Sequence, residues 1–307
     1  MKKKILILGY SSFVQRRIIR SLKKIKNLEF FICSKSNKIE NSKRIFFNDY
    51  QKTLKTKSFD YVYISLTNNL HYKYAKIALD LGYNVIVDKP ITLSFEQTNN
   101  LLKIAKQKKV LLCELMIFNY HKIYEKIIKI IGGKKKIDTL FANFNVPLTK
   151  SLKQVNRIYG GCNFDMGPYA ATIIRFFFLN QIDKFVIFKD RFNSPNKNVI
   201  KEFSILSKHK SKKFIANFAI SKEYISQLIF IGNEKIIKVP FQAFALPCNK
   251  KIKISIKSKN KIYSIGIKDD YIKRFFQSLI NSKINFNYYY EMINADNKLK
   301  KKLKLFN

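Results

Sequence analysis

Tryptophan is absent from the 307 residues, and glycine (9), proline (6), cysteine (4) and histidine (3) are scarce. So little glycine and proline excludes collagen-like and low-complexity chains. The cysteines, Cys33, Cys113, Cys162 and Cys248, stand far apart, with no Cys-x-x-Cys pair and no histidine ladder nearby. Neither a metal site nor a disulfide framework is expected, and a reducing, cytoplasmic setting fits. Long apolar runs are missing too: the best stretch, Ile173 to Leu179, is interrupted by Arg175, so no membrane span is expected. The start, Met1-Lys2-Lys3-Lys4 and Ile5 to Leu8, imitates a signal peptide, but its apolar run meets Gly9 after four residues. Acidic residues are few, 20 against 60 Lys+Arg, giving a formal net charge of +40. Such a balance suggests an anionic partner. Lysine, isoleucine, asparagine, phenylalanine and tyrosine are abundant together, however, as AT-rich codons would produce, and the basic residues are spread along the chain. With no zinc-finger spacing and no aromatic RNA-binding signature, no specific nucleic-acid partner is expected.

What is present is apolar and aromatic, 47% and 14% of the residues, enough for a substantial core and for two domains. Residues 1–118 alternate strand-length apolar runs, at Ile5 to Leu8, Leu28 to Cys33, Tyr61 to Ser65, Val85 to Val87 and Val110 to Glu114, with segments of helical spacing. Tyr74, Ile77, Ala78 and Leu81 show that spacing. The rhythm predicts a doubly wound parallel sheet, a Rossmann-like α/β domain whose ligands sit at the strands' carboxyl ends. Residues 119–307 read differently. A helix near Tyr120 to Ile131 ends at Gly132-Gly133, and strands follow at Thr139 to Val146, Phe185 to Phe192, Phe203 to Ser207, Phe214 to Ile220, Gln227 to Ile231, Ile236 to Phe244, Ile252 to Ile256 and Ile262 to Ile267. Many alternate apolar with polar residues, predicting an α+β domain with a large, open, mostly antiparallel sheet. Its uncovered face would suit pairing into a homodimer or homotetramer. A helix from Asp270 to about Leu279 and a basic tail, Lys298 to Lys304, close the chain.

The first strand leads into Gly9-Tyr10-Ser11-Ser12-Phe13-Val14, where a dinucleotide fingerprint would carry glycine at 9, 11 and 14. Only Gly9 is present. Ser11 is small enough for backbone amides to reach a phosphate, while Val14 must push the following helix outward. Gly9, Ser11, Ser12 and Phe13 are therefore candidate cofactor contacts. The second strand ends Cys33-Ser34-Lys35, without the acid that would hold a ribose 2′-hydroxyl. A hydroxyl and a cation, Ser34 and Lys35, favour NADP over NAD there, with NAD still possible.

From Asp60 to Thr92 the chain reads a strand, then Leu66-Thr67-Asn68-Asn69-Leu70-His71, a helix, Gly82, and a strand ending Asp88-Lys89-Pro90. This resembles the Gfo/Idh/MocA family of nicotinamide-dependent sugar and polyol oxidoreductases, whose Glu-Lys-Pro appears as Asp88-Lys89-Pro90 and whose Asn-x-x-His resembles Asn68 to His71. Glu114 to His121 is similar to the segment joining the two domains in members acting on keto sugars of nucleotide sugars, with Asn119 and Lys122 where an arginine and a proline are often found. Gly160-Gly161-Cys162-Asn163-Phe164-Asp165-Met166-Gly167-Pro168-Tyr169 matches the family's Asp-x-Gly-x-Tyr variant. A helix beginning near Met166 would take Pro168 in its first turn, Asp165 as its cap and Tyr169 one turn on.

The resemblance implies a cytoplasmic NAD(P)-dependent oxidoreductase of a sugar or nucleotide sugar, of the kind used in polysaccharide biosynthesis. It adds Leu66, Thr67, Asn68, His71, Asp88 and Lys89 to the cofactor contacts and Lys89, His121, Asp165 and Tyr169 to the substrate contacts. Hydride transfer to a ketone builds negative charge on its oxygen and needs a proton source within roughly 3 Å. Lys89 can supply the charge and Tyr169 the proton, or the two can exchange these roles, a neighbouring ammonium favouring ionisation of a phenol whose ordinary pKa is about 10. Asp165 would orient substrate hydroxyls or the lysine. An alternative is a catalytically inactive nucleotide-binding regulator or scaffold of the same fold, favoured by the two missing glycines.

Overall fold

The computed structural model describes residues 2–35, 46–56, 58–149, 155–156, 158–178, 182, 184–193, 198–221, 223–281 and 284–306. They fall into two compact units, one built from 1–115 with 272–297 and the other from 116–271 with 298–306.

The first unit holds a six-stranded parallel sheet made by β1 (Lys3–Leu8), β2 (Leu28–Cys33), β3 (Phe46–Phe47), β4 (Tyr61–Ile64), β5 (Asn84–Val87) and β6 (Leu112–Glu114), in the order β3-β2-β1-β4-β5-β6. Ile5 to Leu8, Tyr61 to Ile64 and Val85 to Val87 are all buried, so these strands read as unbroken apolar runs rather than alternating ones. The first crossover opens with a turn of wide, π-type winding at Val14–Ile18 before α1 (Ile19–Leu22). Val14, in the third fingerprint position, is fully buried there, and the wider turn makes the room that glycine would otherwise provide. A short α2 (Tyr50–Lys55) follows β3, while α3 (Asn68–Asp80) and α4 (Phe95–Lys108) connect the later strands. The last two cover one face, packing Ala75, Ala78, Leu79, Leu101 and Ala105 on Leu6, Leu8, Val62, Ile64, Val85 and Val87.

Two further helices return to this unit through residues 272–297: α7 (Tyr271–Asn281) and α8 (Phe286–Lys302), the second meeting the expected basic tail, Lys298 to Lys304, only at its end. The expected division at 118 lies close to the observed one at 115, but residues 272–297 return to the first unit. Their aromatic contacts explain it. The Tyr61 hydroxyl donates to the Leu279 carbonyl at 2.7 Å and Tyr63 packs edge-on against Phe276. On α8, the Tyr290 hydroxyl donates to the carbonyls of Ala105 and Val110, and Asn297 donates to the Phe95 carbonyl.

The second unit holds eight strands: β7 (Thr139–Pro147), β8 (Val186–Arg191), β9 (Ile200–His209), β10 (Lys212–Ser221), β11 (Ile225–Gly232), β12 (Lys235–Val239), β13 (Lys251–Ser258) and β14 (Lys261–Lys268). Their order is β14-β13-β12-β11-β7-β10-β9-β8, antiparallel except where β7 meets β10. The strand expected to run to Phe244 stops at Val239, since Pro240 has no amide to donate and Gln242 takes a left-handed φ of 56°. One face is covered by α6 (Cys162–Phe178), whose Phe177 and Phe178 meet Phe230 and Phe214. On the other face cross-strand neighbours form rows. Val186, Leu206, Ile215, Phe141 and Ile229 make an apolar row across five strands, beside a row of Phe188, Ser204, Asn217, Asn143 and Gln227.

Candidate functional site

In the first unit, strand order reverses between β1 and β4, and the candidate residues gather at the carboxyl ends there. Gly9 has φ of +97°, and a Cβ on it would stand 2.2 Å from the Ser65 carbonyl oxygen. Only glycine fits. The Ser11 hydroxyl lies 3.0 Å from that of Ser65 and accepts the Val14 amide at 3.2 Å. Ser12 is exposed and its carbonyl and hydroxyl receive the Arg16 guanidinium, while Phe13 is half-buried.

Asp88, expected as a cofactor contact, has its carboxylate engaged from within the protein. It accepts the Tyr63 hydroxyl at 2.7 Å and the Ser65 hydroxyl at 2.6 Å. Ser11, Ser65, Asp88 and Tyr63 thus tie the ends of β1, β4 and β5 together. Burial, then the Asp88 charge and hydrogen bond, push the Tyr63 phenol well above its ordinary pKa, so Tyr63 remains a donor.

Lys89 follows, half-buried, with a cis peptide to Pro90. The turn that carries it is held from both sides. His71, fully buried on α3, places Nδ1 2.7 Å from the Pro90 carbonyl oxygen and Nε2 3.1 Å from that of Leu66. Those contacts span the turns after β4 and β5. Glu114, at the end of β6, accepts the Ile91 amide at 2.8 Å. Glu114 had no assigned role in the sequence, because its contact spans 23 residues and no motif spacing marks it. Thr67 occupies the cap position of α3 and Asn68 is buried as its first residue.

Ser34 is half-buried and Lys35 exposed at the end of β2. Lys35 lines a polar cleft with Asn48, Asp49, Tyr50, Gln51, Lys73 and Tyr74. The Lys35 ammonium lies 5.6 Å from the Tyr50 ring centroid, and that of Lys73 5.6 Å from Tyr74. Asp49 spends one carboxylate oxygen on the amides of Gln51 and Lys52 at the start of α2. Lys73 was not singled out from the sequence, where nothing separates it from the 60 basic residues.

In the second unit, Gly161 has φ of +107°, and a Cβ on it would meet Asn163 Oδ1 at 2.9 Å. Here the expected helix start is corrected. α6 begins at Cys162, a turn early, with the Asp165 amide donating to the Gly161 carbonyl. Asp165 lies inside the first turn rather than capping it, and Pro168 stands within the helix. Asp165 and Tyr169, four residues apart, still share one helical face, both half-buried. Tyr169 is caged by Phe118, Phe144 and Phe244, with ring centroids at 5.4, 5.3 and 5.5 Å. His121, expected to touch substrate, is fully buried and caps α5 (Lys122–Ile131), its Nδ1 accepting the Ile123 amide at 3.0 Å. Among the described residues no cluster of three or more metal-ligating side chains occurs. Nor is any described helix long and apolar enough to cross a membrane.

Residues 3–115 match the model of the oxidoreductase family with an NAD-binding Rossmann fold. Over this stretch the chain resembles the Gfo/Idh/MocA oxidoreductases. It is 27% identical over 135 residues to D-xylose 1-dehydrogenase (NADP(+)) 2 of Haloferax volcanii, covering 43% of this chain and 42% of that one. It is 25% identical over 187 residues to the dTDP-3,4-didehydro-2,6-dideoxy-alpha-D-glucose 3-reductase of Saccharopolyspora spinosa, 57% and 56% of the two chains. These matches thus span about half the length of the curated relatives. In fold the similarity extends to the whole chain. A 3-ketoreductase from Actinomadura kijaniata, solved with NADP and TDP-benzene, superposes with a TM-score of 0.88 over 100% of this chain and 98% of its own, at 18% identity.

Proposed function

We propose that the protein is an NADP-dependent oxidoreductase that moves a hydride between the nicotinamide and a hydroxyl or keto carbon of a sugar, most specifically a nucleotide-linked keto sugar. The observation that carries this is the Lys89 turn. Tyr63, Ser65, His71 and Glu114 fix the residues before and after the lysine at four hydrogen bonds of 2.6–2.8 Å. A positioned cation at a strand's carboxyl end is what a developing oxyanion requires, since preorganised charge costs no rearrangement during reaction. Tyr169, held by three aromatic rings, serves as the proton relay, and Asp165 on the same helical face orients substrate hydroxyls.

Nucleotide would be held by the Gly9 to Phe13 turn, and Leu66, Thr67 and Asn68 would line its path. Lys35 and Lys73, with Ser34, fit a 2′-phosphate better than a free 2′-hydroxyl, since no acid ends β2 and Asp49 is committed to α2. Bound NADPH would supply the hydride. His71 and Asp88 act here through the protein: the first joins the turns after β4 and β5, and the second holds β4 to β5. Support for the sugar substrates comes from the xylose dehydrogenase and the 3-reductases that the chain resembles.

A homodimer through the uncovered face of the eight-stranded sheet, which a tetramer could repeat, completes the proposal. Its apolar and amide rows contain no lysine in a chain of net charge +40, and Asn143 Oδ1 and Asn145 Oδ1 are buried without a partner among the described residues. The inactive-scaffold reading draws on Ser11, whose hydroxyl takes up the Val14 amide that a phosphate could use.

Oxidation of NADPH in the presence of a panel of keto sugars, hexoses and dTDP-linked sugars tests the reading. Turnover should fall by roughly 10²-fold or more in Lys89→Met while nucleotide binding persists. Near-normal turnover by that variant would remove the lysine from the mechanism.

A further inference from the structure

A genome rich in lysine codons should spread lysine evenly, and the eight-stranded sheet of the second unit does not. One end of it is made by the tips of the β9–β10, β11–β12 and β13–β14 hairpins and by the turn 134–138 that feeds β7. Their alignment follows from the pairing Lys213–Thr139–Ile231–Ile236–Lys257 across successive strands. Lys135, Lys136, Lys208, Lys210, Lys259 and Lys261 are all exposed along this end. Lys212 and Lys235 are fixed there too, donating to main-chain carbonyls of Ile137 and Ile130. The acids of this rim are Asp138 and Glu234, and no arginine lies on it among the described residues. The opposite end of the same sheet is balanced. There Asp190, Glu202, Glu223, Asp269 and Asp270 stand among Arg191, Lys201, Lys250, Lys251 and Lys268. Composition alone therefore does not account for the rim.

We infer that this rim is a docking surface for an anionic lipid headgroup layer. Five strand spacings of about 4.8 Å separate the β9–β10 and β13–β14 tips, so the ammonium groups line roughly 24 Å of one edge. Lysine is a point charge on a flexible stem, suited to a mobile layer of phosphates, whereas arginine's fork serves fixed bidentate recognition. An apolar group stands in the same line: Ile262, 72% exposed, pairs across the strand with Lys257 next to Lys261. Exposed apolar side chains beside cations are how peripheral proteins combine headgroup attraction with shallow insertion.

The test is sedimentation of the full chain with vesicles of phosphatidylcholine alone and of phosphatidylcholine containing phosphatidylglycerol, at low and at high salt. The rim predicts binding only to the anionic vesicles, released by salt. Combining Lys208→Gln, Lys210→Gln, Lys259→Gln and Lys261→Gln should weaken it roughly tenfold or more. An equal-charge control, Lys201→Gln, Lys250→Gln, Lys251→Gln and Lys268→Gln, should leave it near the parent value. Equal loss in both would show net charge acting without a rim and overturn the inference, as would no binding to anionic vesicles. Tighter rim-dependent binding to duplex RNA at the same phosphate concentration would overturn it in favour of nucleic acid.

Discussion

In the proposed mechanism Lys89 gains its precision from the neighbours that hold its turn. Asp88 is the clearest case: removing its carboxylate in Asp88→Ala leaves the buried Tyr63 and Ser65 hydroxyls without their acceptor. Each lost partner costs roughly 1–3 kcal/mol, so urea unfolding should show a loss of about 2–6 kcal/mol, smaller in Asp88→Asn. His71→Ala should act differently, loosening the Pro90 carbonyl without touching nucleotide. Its kcat should fall roughly tenfold with little change in NADPH affinity, a split that steady-state kinetics and a binding titration would resolve. Cysteine behaviour is simpler. Burial raises the Cys33 and Cys113 thiols, and Cys162 is buried as well, leaving Cys248 the most accessible. A thiol reagent should label one site quickly in the native chain and four after unfolding. Gly9 was legible in the sequence because its conformation and close contacts admit only glycine, and Lys89 and Tyr169, the proposed catalytic pair, were chosen from motifs alone. Glu114 and Lys73 were not singled out, since the contacts that bring them to the candidate site arise only in the fold.

At the scale of elements, the apolar runs predicted the sheet of the first unit well because buried parallel strands carry an unbroken apolar signal. Boundaries were less readable. α6 starts a turn early because the left-handed Gly161, rather than Asp165, ends the preceding loop, and Pro168 sits inside the helix it was expected to open. α8 was not anticipated, the basic tail covering only its end from Lys298, because its few buried apolar anchors, Tyr290 and Ile293, are too sparse to mark a helical stripe. The uncovered sheet face carries its own prediction. Phe141→Glu, placed in the middle of the apolar row, should convert a dimer to a monomer in light scattering while far-ultraviolet circular dichroism stays unchanged. A parent protein that is already monomeric at all concentrations would remove the dimer from the proposal.

Across the whole molecule, the chain builds its first unit, crosses into the second, returns to the first through 272–297 and enters the second again at 298–306, so neither unit is one continuous stretch. Such a path was hidden in the sequence, because contacts between residues some 200 positions apart, like that of Asn297 with Phe95, leave no local pattern. The net charge of +40 was visible at once, yet its arrangement on one rim of a sheet was not. The central claim, that the first unit is a working NADP site despite two missing fingerprint glycines, is tested most directly by a fluorescence titration of the purified, nucleotide-stripped protein with NADPH and with NADH at moderate salt. Micromolar binding of NADPH, tighter than NADH by roughly tenfold and reduced by Lys35→Glu, is the predicted result. Binding of neither nucleotide would contradict the account and leave a scaffold that has kept the fold without its cofactor.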